Sequence, residues 1–109
     1  MGYSGPAAGI LLINGSTSGN GNTIDLMGFG KEHTLYAWGV GTITTGDLIW
    51  ETAPYSTAAT WAPLSDPVAL STTTQLRQVT GAYRWMRCRI STNVTGSGGL
   101  AYAKLVSTE

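Results

Sequence analysis

Charge is the scarcest commodity in this chain. Only 11% of its 109 residues are Asp, Glu, Lys or Arg, against roughly 25% in an ordinary soluble domain. Six basic side chains balance six acidic ones, so the formal net charge is zero. That balance argues against nucleic acid as a main ligand, because phosphate binding draws on a surplus of Lys and Arg. A free monomer with so little charge is also poorly protected against association. The simplest expectation is that much of its surface is covered in its working state.

Cysteine is nearly absent too. The one residue, Cys88, has no partner for an internal disulfide and sits among apolar neighbours, so it reads as a small buried hydrophobe rather than a nucleophile. A fold held by its core instead of by bridges fits assembly in a reducing cytoplasm. There is one histidine, His33, and the usual hydrolase needs such a base beside a nucleophile. With no neighbouring carboxylate motif to orient it, His33 at the start of a strand reads as a surface or edge histidine. One Cys, one His and six scattered acids offer no metal-ligand spacing, and no cofactor is implied. No segment approaches the roughly 20 apolar residues of a membrane span. The start MGYSGPAAG has no basic residue before its apolar run, so no signal peptide is read there. These points give the expectation of a protein made in the cytoplasm, without a membrane partner.

What the chain has instead is 16 Thr, 9 Ser and 15 Gly. Thr suits the pleat of a strand and Gly supplies turns. The stretches free of Gly and Pro, Val68 to Thr80 and Ala82 to Thr95, are dense in Thr, Val, Ile and aromatics, which discourages helices. Short strands are read at Gly9–Asn14, Thr23–Phe29, His33–Val40, Asp47–Thr52, Thr60–Leu64 and Gln75–Val79. Turn signals separate them, the plainest being GSTSGNGN at 15–22. That loop lacks the spacing of a phosphate-binding motif. The reading is all-β, an antiparallel β-sandwich or jelly roll of about seven to eight strands. One domain covers residues 10–109, with residues 1–9 as a flexible N-terminal arm.

The last third reads as a long hairpin, with one strand from Tyr83 to Ser91 and a return strand from Leu100 to Val106. Alternation places Met86, Cys88 and Ile90 on one face and Tyr83, Trp85, Arg87 and Arg89 on the other. Arg and Trp are enriched at interface hot spots, so Tyr83, Trp85, Arg87 and Arg89 are the candidate contact residues. Four Trp and five Tyr against one Phe also favour interfaces, since these rings carry a polar tip. Trp50 and Trp61 flank the loop APYSTAA. They are read first as core or rim packing, and alternatively, with Tyr55, as a platform for sugar rings. The acid pairs Asp25 with Glu32 and Asp47 with Glu51 could mimic a glycosidase pair, but a solvated strand edge explains them better. The triplets Asn14-Gly15-Ser16 and Asn93-Val94-Thr95 match glycosylation acceptors, which require a secretory route.

Three segments carry a resemblance. DLIWETAPYSTAATWAPLS (Asp47 to Ser65), VTGAYRWMRCRIS (Val79 to Ser91) and GSGGLAYAKL (Gly96 to Leu105) resemble, in order and pattern, small phage and prophage virion β-sandwich proteins. The chain departs from that pattern at the loop before Trp61, where APYSTAA stands in place of a Gly/Asp/Asn turn. The resemblance implies a non-enzymatic structural protein of the virion, foremost a capsid decoration (cement) protein. Its implied partners are other copies of itself, as a trimer, and the major capsid protein. A minor tail or neck subunit is a further implied role, and a lectin-like sugar-binding module is the alternative from a different class.

Overall fold

The computed structural model describes residues 8–27 and 32–108. Ten strands follow one another: β1 (Ala8–Ser16), β2 (Gly19–Asn20), β3 (Ile24–Asp25), β4 (Glu32–Val40), β5 (Thr45–Ala53), β6 (Ala62–Pro63), β7 (Val68–Ala69), β8 (Gln75–Thr80), β9 (Trp85–Thr95) and β10 (Leu100–Thr108). The expected count was lower because β2 and β7 are two-residue pieces with no room for alternation; of the strands read at Thr23–Phe29 and Thr60–Leu64, the described residues keep only the two-residue β3 and β6. The expected arm lies outside the described residues, save that Ala8 and Gly9 already belong to β1.

The strands form two antiparallel sheets packed face to face, the expected sandwich. One is four-stranded, in the order β1-β10-β4-β8. The other is six-stranded: β9 and β5 form its centre, β2 and β3 pair with β9 on one side, and β6 and β7 pair with β5 on the other. Each long strand alternates between core and outside, as one-sided burial requires. In β4, His33, Leu35 and Ala37 point inward, and in β10, Ala101, Ala103, Leu105 and Ser107 do. From the opposite sheet come Leu48, Trp50, Met86, Cys88 and Ile90. Small inward residues on β4 and β10 leave space for the large ones of β5 and β9, so the layers interdigitate. Each fully buried large side chain contributes about 1.5–3 kcal/mol of burial free energy.

The expected terminal hairpin does not form. β9 pairs with β5 and β10 pairs with β1 and β4, so the two strands lie in opposite sheets. Alternation had identified the inward face of β9 correctly; it looks across the core at Ala101, Ala103 and Leu105 of β10. The four residues Gly96–Gly99 carry the chain over the end of the sandwich. The β4–β5 connection makes a similar crossing beside them. Thr42 N–H donates to Ser97 O at 3.0 Å and Thr44 N–H to Thr95 O at 2.8 Å. The two backbones approach so closely that a Cβ at Gly96, whose φ is +123°, would lie 2.0 Å from Thr42 O. Only glycine tolerates both the conformation and the approach.

His33 corrects the sequence reading. It is 1% exposed. Its Nε2 lies 2.9 Å from Gly81 O and its Nδ1 2.6 Å from Ser107 Oγ. A carbonyl only accepts, so Nε2 carries a proton, and in the neutral ring Nδ1 accepts from the Ser107 hydroxyl. Tyr83 packs against the imidazole, with ring centroids 5.5 Å apart, and its hydroxyl donates to Thr80 O at 3.0 Å. His33 therefore ties β4 to β10 and to the β8–β9 turn. An edge position was read because the polar partners that satisfy it are 48 and 74 residues away.

Candidate functional site

Both sheets turn a patterned face outward, and the two faces differ in kind. On the six-stranded sheet, register sets Glu51 of β5 directly opposite Arg87 of β9. Side chains at facing positions lie close enough to pair. Arg87 Nε donates to Glu51 Oε1 at 2.9 Å, and Arg89 donates to Oε2 through Nε at 3.3 Å and Nη2 at 3.2 Å. Both carboxylate oxygens are thus occupied. Trp61 lies over the cluster: the Arg87 guanidinium sits 4.3 Å from the centroid of its ring, a cation–π arrangement. The result is a small covered stack outside the main core. Glu51 is only 5% exposed, which corrects its reading as a solvated edge acid.

This geometry relocates most of the residues singled out in the sequence. Arg87 and Arg89 face outward as read, yet they are engaged with Glu51 rather than free. Trp85 is on the same face and half-buried, with the Arg84 guanidinium 5.7 Å from its ring centroid. Tyr83 precedes β9 and packs onto His33 and the core. Of the sugar-platform residues, Trp50 is 0% exposed and Trp61 8%. Trp50 points into the core with its indole N–H unpartnered, so neither ring opens a face to a pyranose. Tyr55 is 69% exposed and stands apart from them in the loop. Among the described residues, no three His, Cys, Asp or Glu side chains gather where a metal ion could be held. Burial pushes the Cys88 thiol well above its ordinary range, with the Glu51 charge adding to the effect. Asp25 pairs with Arg84 at 2.6 Å. The hydrogen bonds from Arg84 hold its carboxyl below the ordinary value, and the backbone N–H of Met27 adds to this.

The outer face of the four-stranded sheet was only half read from sequence. Alternation along β4 puts Tyr36, Trp38 and Val40 on one side of the strand. What was missed is that Tyr102 and Lys104 of β10 join them, because register sets Tyr102 opposite Trp38 and Lys104 opposite Tyr36. Trp38 and Tyr102 stack nearly parallel, with centroids 5.5 Å apart and planes 8° off. Beside them runs an open groove of about 530 Å³ lined by Tyr36, Trp38, Thr74, Lys104 and Val106. Leu76 of β8, opposite Tyr36, and Leu11 of β1, opposite Lys104, extend the apolar surface, at 53% and 38% exposure. The alternation in LAYAKLV was the available signal, since it puts Tyr102, Lys104 and Val106 on one side.

The fold places this protein among antiparallel β-sandwiches. Among solved structures, it is similar along nearly its whole length to the SPBc2 prophage-derived protein YomS. The TM-score is 0.68 at 12% sequence identity, covering 99% of this chain and 98% of that one. At that identity the likeness is one of fold. A structure described as "CBM4 structure and function" aligns with a TM-score of 0.38 at 13% identity, covering 89% of this chain and 77% of that one; so loose a superposition carries no argument. No protein-family model matches the chain, and no curated protein matches it.

Proposed function

We propose that this chain is a non-enzymatic structural protein of a phage particle, acting as a decoration protein on the head. The observation that carries this reading is the end-to-end likeness of its sandwich to a prophage-derived protein of nearly equal length. The build of the molecule supports it. The outer face of the four-stranded sheet presents aromatic and aliphatic side chains for contact. The charge needed to keep a free protein apart from its neighbours is missing. In this reading the sandwich is a rigid body whose outer faces pack against sister copies and the major capsid protein. Many modest contacts repeated over a lattice sum to a large stabilisation.

The test uses undecorated capsids of the phage that encodes the chain. Added protein should bind them and raise the temperature at which the shell disrupts. Shells equally resistant to heat and pressure with and without it would refute decoration. Copy number in intact particles separates head from tail: a lattice component occurs in many copies, whereas a tail or neck part occurs in few.

A further inference from the structure

The groove on the four-stranded sheet has features that shell packing does not require. Its aromatic wall is built in advance. Trp38 is backed by Tyr102 in a parallel stack, and Tyr102 has its own seat, since a Cβ at Gly15 would lie 3.1 Å from the Tyr102 hydroxyl. Gly15 has φ +76°, a conformation that glycine adopts freely, so β1 leaves room for the tyrosine while following its bulged path. The indole is thereby held in one orientation before any ligand arrives, which reduces the ordering cost of binding. Tyr36 continues the aromatic surface along β4.

The polar lining is equally specific. Lys104 is the one charged residue of the groove, and it forms no ion pair among the described residues. Glu32, the acid of the same sheet face, lies at the far end of β4 opposite Thr108, while Lys104 is opposite Tyr36. The Thr74 hydroxyl and the Tyr36 phenol can donate and accept at the rim. The space of about 530 Å³ beside the rings is a shallow, solvent-open surface, which suits an extended chain better than an enclosed small molecule. Flat, electron-rich ring faces take the weakly positive C–H surface of a sugar ring. Hydroxyl-bearing side chains take its hydroxyls, and an unpaired ammonium takes a negative substituent.

We propose that this groove binds an acidic glycan, with Tyr36 and Trp38 under the sugar rings and Lys104 on a carboxylate or phosphate group. A second copy of the chain fits less well. In a two-fold contact the same patch faces itself, which would bring the two Lys104 side chains to the same region. The proposal does not depend on where in a particle the protein sits.

The test is calorimetric titration of the intact protein with three oligosaccharide probes: a galacturonate hexamer, a ribitol-phosphate oligomer and neutral cellohexaose. At least one acidic probe should bind about tenfold or more tighter than cellohexaose. The stronger of the two reports whether carboxylate or phosphate is preferred. Lys104→Gln, at a half-buried site whose side chain has no ionic partner, should erase that preference without altering thermal melting. Trp38→Leu should weaken all binding about tenfold or more, and Tyr55→Ser, away from the groove, should change nothing. Failure of both acidic probes to bind at millimolar concentration overturns the proposal. So does equal binding of the neutral probe, or binding indifferent to Lys104→Gln. Sedimentation of the wild type and both groove variants supplies the remaining check. A dimer that Trp38→Leu or Lys104→Gln disperses would assign the face to a second copy and overturn the proposal.

Discussion

The outer faces of the two sheets meet the same problem with opposite solutions. Each carries large side chains and cationic groups on a surface poor in charge. On the six-stranded sheet the cations are answered from within: Glu51 receives both Arg87 and Arg89, and Trp61 covers the group. On the four-stranded sheet nothing described answers Lys104, and Trp38, backed by Tyr102, is only half-buried. A face whose polar groups are mutually satisfied is part of the architecture. A face with its charge unpaired and its rings open is available to something else. The arginines that looked like a contact surface in the sequence are engaged with Glu51, and the aromatic strands β4 and β10 carry the open surface.

The contrast can be broken hardest at Glu51. Glu51→Ala leaves the Arg87 and Arg89 guanidinium groups without their shared carboxylate, and should destabilise the fold by about 2–3 kcal/mol, below the full cost of breaking a buried pair because the two arginines are 17% and 36% exposed themselves. Urea unfolding measures it; a loss below about 1 kcal/mol would show the cluster to be ordinary surface. Next comes the network inside the four-stranded sheet. His33→Ala should cost about 1–3 kcal/mol, because Ser107 and Gly81 O lose their partner in the interior. Smaller still is Leu76→Ser on the open face. With half of that side chain already in water, it should shift stability by no more than about 0.5 kcal/mol, which chemical denaturation can distinguish from the Glu51 effect.

The weakest effect concerns acid. Asp25 is held below its ordinary value by Arg84, so the pair favours the folded state above the unfolded-state pKa. That contribution fades as pH falls through the lower, folded-state value. Asp25→Asn should therefore flatten the acid side of a melting-temperature profile slightly. The small loss should appear at neutral pH and vanish in acid, below the folded-state value, and added salt should shrink it. A drop as large at neutral pH as that from Glu51→Ala would mean that this exposed pair does more than its surroundings allow.

Which parts of this were legible in the sequence follows from the range of each signal. Met86, Cys88 and Ile90 announced an inward face because alternation is a property of consecutive residues. It does not say which strand lies alongside, so β9 and β10 were joined as neighbours when the chain instead arches over the end of the sandwich. The same limit hid the Glu51 cluster. The spacing of Arg87 and Arg89 put them on one face, but only the β5–β9 register, between strands some 36 residues apart, sets a carboxylate opposite them. His33 was misplaced because a lone polar residue in a strand looks alike whether it meets water or distant buried partners. Trp38 and Tyr102 lie in strands far apart along the chain; their stack needed the β4–β10 register.

The sheet order has a consequence for how the molecule comes into being. β10 lies between β1 and β4, so the first long strand has no neighbour in its sheet until residues near the other end of the chain arrive. During synthesis, β1, β4 and β8 can be complete while the layer they belong to has a gap at its middle. The final closure therefore waits for release of β10 from the ribosome, and it joins partners that are far apart along the chain, which favours slow folding. Until then the apolar edges on either side of the gap are open to wrong partners. A chain stopped before Leu100 would be a half-built sheet prone to aggregate, rather than a smaller working version of the protein.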